Sequence, residues 1–268
     1  MSKLNDFLFE YLASLPHTLV DQPFLYEGER DIMLHFDLSA TQSHMRKADP
    51  DKLILEYTRT MMGFLLFQPK PERIAMIGLG GGSLAKYCLR HVPDAQFTAV
   101  EINPKIIALR DKFGIPPDGP NFEVVCADGA DYVRNRSELV DVLLVDGFDR
   151  DGQPKQLCSA GFYDHCYDKL QDGGVLVVNM LTVDTKFGTY AARIRKSFDD
   201  QIVVVGEDES GNNIAFAYRG KNFPPLPATL RERVRGLGPT HTVSLHNIAQ
   251  KVIRQLKPNH VRPEQTQY

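Results

Sequence analysis

Apolar residues in this chain follow two regimes that change near residue 70. Before it, Leu4, Phe7, Leu8, Tyr11 and Leu12 recur at helical spacing. Phe24–Tyr26 and Ile32–Phe36 read as short strands around a Glu-Gly-Glu-Arg turn. Asp49-Pro50-Asp51 opens a predicted helix through Leu53, Leu55, Tyr57, Met61, Met62 and Leu65, and Pro69 and Pro71 end it. From Arg73 the pattern changes. Short apolar runs at Ile74–Ile77, Gln96–Val100, Phe122–Cys126, Asp141–Val145 and Val175–Asn179 predict strands. Between and after them, Leu84–His91, Pro104–Phe113, a stretch near Gly161–Leu170 and Lys186–Phe198 predict helices. Strands alternating with helices imply a parallel sheet covered on both faces.

The end of the series is different. Ile202–Val205 and Ile214–Tyr218 are two β-rich runs with only Gly206–Asn213 between them. That connection is too short for a helical crossover, so the two runs should pair antiparallel. A doubly wound α/β sheet that ends in an antiparallel hairpin resembles class I methyltransferases. Leu245, Ile248, Val252, Ile253 and Leu256 predict a last helix packed on the sheet, and Pro258–Tyr268 is polar. The expected organisation is a small N-terminal helix and β-strand unit over residues 1–70 and a Rossmann-like domain over 71–268.

Composition narrows the function. A length of 268 residues suits one large α/β domain with an appendage. Lys/Arg and Asp/Glu are interspersed, and the net charge of −3 gives no basic footprint for nucleic acid. No run approaches the ~20 apolar residues of a membrane span. Asp6 and Glu10 interrupt the N-terminal apolar residues, so no signal peptide is read and a cytoplasmic protein is expected. Cys88, Cys126, Cys158 and Cys166 form no CxxC pair and are expected to be buried free thiols. The histidines lack ligand spacing, so no metal is expected.

Chemistry concentrates at the predicted strand ends. Gly78-Leu79-Gly80-Gly81-Gly82 lies between a strand and a helix, where glycines let the backbone approach a ligand and turn tightly. A dinucleotide fingerprint would require glycine at 83, which is Ser83. Glu101 closes the second strand, where a carboxylate can accept from both hydroxyls of a ribose. Asp128-Gly129 after the third strand suits the edge of an adenine, or else a plain turn or helix cap. Asp146, Asp149 and Asp151 share the loop after the fourth strand. They read as an amine-binding and proton-accepting site, or as a solvated acidic loop.

With these residues together, the chain resembles the spermidine synthase (polyamine aminopropyltransferase) family from about Ile32 to Tyr218. The resemblance is carried by the glycine turn, Val100-Glu101-Ile102, Ala127-Asp128-Gly129, and the stretch from Asp141 to Leu170 with Leu157, Phe162-Tyr163 and Tyr167. It implies aminopropyl transfer from decarboxylated S-adenosylmethionine to a polyamine such as putrescine. In that reading Gly78, Gly80, Gly82, Glu101, Asp128 and Gly129 hold the nucleoside. Asp146 accepts the proton, while Asp149 and Tyr57 bind the amine. The resemblance also implies a homodimer. Two departures stand out: Gly81 occupies a position where the family usually carries Asp, and Arg150 and Gln153 replace two loop prolines. A methyltransferase using S-adenosylmethionine and a non-catalytic nucleoside or polyamine binder therefore stay open as alternatives.

Overall fold

The apolar runs become strands because their aliphatic residues are buried alternately on two faces. In the computed structural model, which describes residues 23–35, 41–135, 137–149, 152–206 and 211–255, these strands build two sheets. The larger has seven strands: β4 (Arg73–Ile77), β5 (Gln96–Glu101), β6 (Phe122–Cys126), β7 (Val140–Val145), β8 (Leu170–Leu181), β9 (Ile202–Gly206) and β10 (Asn212–Tyr218). Their order is β6-β5-β4-β7-β8-β10-β9. Neighbours from β6 to β8 are parallel, while β10 pairs antiparallel with both β8 and β9. The doubly wound sheet with a terminal hairpin is thus the one expected from the sequence.

Side-chain alternation divides the core. Ile74, Met76, Val142, Leu144, Val175 and Val177 face one layer, and Ala75, Ile77, Leu143, Val145, Leu176 and Val178 face the other. The first layer holds α2 (Ser83–His91) and the C-terminal α8 (Leu245–Gln255), whose Leu245, Ile248, Ala249, Val252 and Ile253 are buried. The second holds α5 (Ala160–Lys169) and α6 (Phe187–Ser197). Short helices α3 (Pro104–Ile107) and α4 (Gly129–Arg134) follow β5 and β6.

The smaller sheet has the order β1-β2-β3, from β1 (Phe24–Glu27), β2 (Asp31–His35) and β3 (Thr41–Arg46), all antiparallel. Its Ile32, Leu34 and Met45 belong to the same buried cluster as the first layer. The predicted N-terminal helix around Leu4–Leu12 lies outside the described residues, as do Phe36, Arg150, Asp151, Leu256 and the polar tail.

Three expectations are corrected, and two elements are added that the sequence pattern does not show. The helix expected from Asp49 begins instead as α1 (Glu56–Met61), followed by a 3₁₀ turn at Met62–Leu66. Residues 52–55 stay non-helical because the Arg59 guanidinium takes the carbonyls of Leu53 and Ile54 (3.2 and 2.5 Å) and Arg90 engages Asp51 (2.9 Å). The helix expected over Pro104–Phe113 stops at Ile107. Beyond it, Leu109 and Arg110 donate to Ile106 and Ile107, tightening the ladder to three-residue bonds. β3 was missed because its inward positions are Ser43 and Met45, which do not alternate as apolar against polar. Cys126 is exposed, whereas Cys88, Cys158 and Cys166 are buried free thiols as expected. A further helix, α7 (Pro227–Leu237), also went unread, since Leu230 is its one buried residue.

Candidate active site

The site lies where the chain order reverses, at the carboxyl ends of β4 and β7, which is the position open α/β sheets offer to ligands. There the ladder continues past the strands: Gly78 N donates to Val100 O (2.8 Å) and Asp146 N to Ile77 O (2.9 Å). This brings Gly78 and Asp146 side by side. A cavity of about 260 Å³ opens above them. Of the residues singled out from the sequence, Tyr57, Gly78, Gly80, Glu101, Asp128, Gly129, Asp146 and Asp149 line it. Gly82 does not. It precedes α2 in a left-handed conformation (φ 65°), and a Cβ there would lie 2.5 Å from Ile115. Its glycine serves the turn rather than the cavity wall.

Glu101 is buried with both oxygens anchored. Leu79 N donates to Oε2 (3.0 Å) and Asn103 N to Oε1 (2.9 Å). A carboxylate has about four acceptor positions, so two backbone donors leave capacity for two more. The carboxylate is therefore fixed in place and still able to accept. Asp128 has two jobs. Its Oδ1 accepts from Ala130 N (2.7 Å), capping α4, and the residue also lines the cavity. The helix-cap alternative is realised, and the same side chain also borders the cavity.

Asp146 is half-buried against the cavity. Asn179 Nδ2 donates to its Oδ1 (2.8 Å), and the Tyr57 hydroxyl also donates to it. Withdrawal from water raises this carboxyl to about 6, even though both hydrogen bonds favour its ionised form. Tyr57 is pushed well above the usual phenol value, first by burial and then by the Asp146 charge. An ionised carboxylate facing a phenol that stays protonated is an arrangement that can hold a cation and accept a proton from it. Asp149 follows on the same loop, its N and O exchanged with Gly152 in a small antiparallel bridge.

Several lining residues were not anticipated. Leu34, Gln42 and Ser43 come from the small sheet, and Leu55 and Thr58 from the segment around α1. Gly81 N donates to Ser43 Oγ (2.8 Å), and a Cβ at Gly81 would lie 2.8 Å from the Phe113 ring and 2.9 Å from Ser43 Cβ. The small sheet therefore packs directly on the glycine turn, and glycine at 81 makes room for it. No local pattern in the sequence marks that contact.

Comparisons with known proteins identify the family and the fold. The model of the spermine/spermidine synthase domain matches residues 54–196. A polyamine aminopropyltransferase of Chromobacterium violaceum is 39% identical over 187 residues, covering 69% of this chain and 72% of that protein. Among solved structures, a probable spermidine synthase from Corynebacterium glutamicum superposes with a TM-score of 0.68 at 18% identity, covering 91% of this chain and 95% of that one. A spermidine synthase in complex with the transition-state analogue AdoDATO gives a TM-score of 0.65 at 21% identity, covering 88% and 85%. At these identities the two structures establish the class I methyltransferase-like fold.

Proposed function

The chain belongs to the spermine/spermidine synthase family, and on that premise we propose that it is an aminopropyltransferase working on a polyamine such as putrescine. The observation that carries the reading is the pairing of Asp146 with Tyr57 in the wall of a cavity of about 260 Å³ at the switch point of the sheet. Decarboxylated S-adenosylmethionine is the proposed donor, and its sulfonium supplies an activated leaving group. Glu101 accepts from the ribose hydroxyls, Asp128 and Gly129 border the adenine, and Gly78 and Gly80 let the nucleoside approach the backbone.

An alkylamine is mostly protonated near neutral pH, much as Lys is with a pKa of ~10.4. Asp146 and Asp149 attract and orient it. The ammonium first passes one proton to Asp146, and the lone pair so freed attacks the aminopropyl carbon attached to sulfur. The new N–C bond forms as the C–S bond breaks, its electron pair stays on sulfur as a neutral thioether, and the product nitrogen is left as a secondary ammonium. Methylthioadenosine is the second product. The balance closes without a metal or redox partner.

The methyltransferase alternative is less favoured. The relative that covers most of this chain at 39% identity is a polyamine aminopropyltransferase. Calorimetry with decarboxylated S-adenosylmethionine, S-adenosylmethionine and methylthioadenosine tests the choice. Preference for the decarboxylated form supports aminopropyl transfer, and preference for the carboxylated form argues for methyl transfer.

Glu101→Gln supplies a second check. It puts an amide donor among backbone donors that need an acceptor. Losing charge-assisted bonds worth about 1.5–3 kcal/mol each should weaken nucleoside binding by about tenfold to a hundredfold. Unchanged affinity would remove Glu101 from the nucleoside site.

The remaining parts of the proposal rest on the sequence and the resemblance: a unit boundary near residue 70, a homodimer, a cytoplasmic location, and no nucleic-acid partner. No helix among the described residues is long and apolar enough to cross a membrane. Light scattering on the purified chain tests the dimer.

A further inference from the structure

Two asparagines are buried in the large sheet where neither touches the cavity. Asn179 interrupts the aliphatic run of β8, and Asn212 begins β10. β10 pairs with β8 so that Ile214 lies opposite Asn179 and Asn212 opposite Leu181, which makes Asn212 a same-face diagonal neighbour of Asn179. Asn212 Nδ2 donates to Asn179 Oδ1 (2.8 Å), and Asn179 Nδ2 donates to Asp146 Oδ1 (2.8 Å). The chain of donation runs one way, from the hairpin to the carboxylate.

Its direction follows from chemistry. An ionised carboxylate only accepts, so Asn179 must turn its nitrogen toward Asp146. That leaves the Asn179 oxygen facing Asn212, which must then present its own nitrogen. We propose that Asn212 is a positioning residue for the Asp146 carboxylate. Acting through Asn179, it fixes the amide orientation that keeps a donor on Asp146. The antiparallel hairpin, which distinguishes this sheet from an all-parallel one, thereby reaches the reacting group without touching substrate. The proposal rests on Asp146 as proton acceptor.

Among the described residues, the groups that donate to the Asp146 carboxyl are Asn179 and Tyr57. Glu101, Asp128 and Asp149 share its cavity from β5, the start of α4 and the same loop. Asn212→Ala leaves these in place, adds no charge, and frees the Asn179 amide to turn its oxygen toward Asp146. The protonated carboxyl then gains stability relative to the ionised one.

The test follows the Asp146 carboxyl by carbon-13 NMR titration, with the resonance assigned by its loss in Asp146→Asn, alongside turnover against pH. The expected result for Asn212→Ala is an upward move of about half a pH unit in the carboxyl midpoint and in the acid limb, a loss of about threefold on the acid side. The high-pH plateau and the KM for the nucleoside should stay as in the wild type. Asn212→Asp, which offers only acceptors, should move the midpoint further in the same direction. An unchanged midpoint in folded Asn212→Ala, or a loss of turnover equal at every pH, would overturn the proposal. If the chain transfers no aminopropyl group, the NMR titration still decides it, so the two readings fail separately.

Discussion

Asp146→Asn is expected to lower kcat by about 10²–10⁴ while making the fold more stable at neutral pH. The loss of rate follows from removing the proposed proton acceptor without changing its shape. The gain in stability follows from where the carboxylate sits. Withdrawal from water raises its folded-state value from 3.8 to about 6. The native state therefore binds the proton more tightly than the unfolded chain does. Below the unfolded value both states are protonated and the group costs nothing. As pH rises from about 4 to about 6, the unfolded chain ionises while the native carboxyl still holds its proton, so stability falls. Above that window the full cost, up to about 3 kcal/mol, is present. Asparagine removes it and can still accept from Asn179. Urea unfolding of both proteins across this pH range is the check. The variant's advantage should be absent near pH 4 and largest above pH 6. The same ionisation should place the acid limb of kcat/KM near pH 6 in the wild type. Retained turnover in Asp146→Asn would move the proton-accepting role elsewhere.

Gly78→Ala is expected to cost about 2–5 kcal/mol of stability, from left-handed backbone strain and overpacking together. Gly78 has φ 91°, and an added Cβ would lie 2.3 Å from the backbone oxygen of Asp146. That oxygen belongs to the neighbouring strand end, so relief requires β4 and β7 to part where the cavity forms. Nucleoside binding should fall with stability. Gly114→Ala is the matched control. Gly114 also has positive φ (62°), but a Cβ there meets nothing within 4 Å. It should lose only about 1 kcal/mol. Equal destabilisation of the two variants, read from urea midpoints, would mean that the close approach at Gly78 does not matter.

Much of this fold was legible because the large sheet is aliphatic on both faces, so every strand stands out as a short run between turns. The terminal hairpin was legible because Gly206–Asn213 leaves no length for a crossover. β3 and α7 were hidden for the opposite reason. β3 turns a serine inward against the glycine turn, and α7 buries only Leu230. The segment before α1 looked helical because the preference of Pro50 for a first turn outweighed the unseen Arg59 and Arg90 contacts.

At the site, Gly78, Glu101, Asp128 and Asp146 could be found because each ends a strand or follows one directly, and strand ends in such sheets converge. Asn179 and Asn212 could not. Their contact depends on the register of β10 against β8, which no local pattern specifies. Ser43 likewise reaches Gly81 only through packing between the two sheets.

Aminopropyl transfer is tested most directly by the mass of the amine product. The folded protein, given decarboxylated S-adenosylmethionine and isotopically labelled putrescine, should yield a labelled amine heavier by one aminopropyl group. Methylthioadenosine should be released in equal amount. A labelled amine heavier by a methyl group when S-adenosylmethionine is supplied instead, or no labelled product across a panel of diamines, would contradict it.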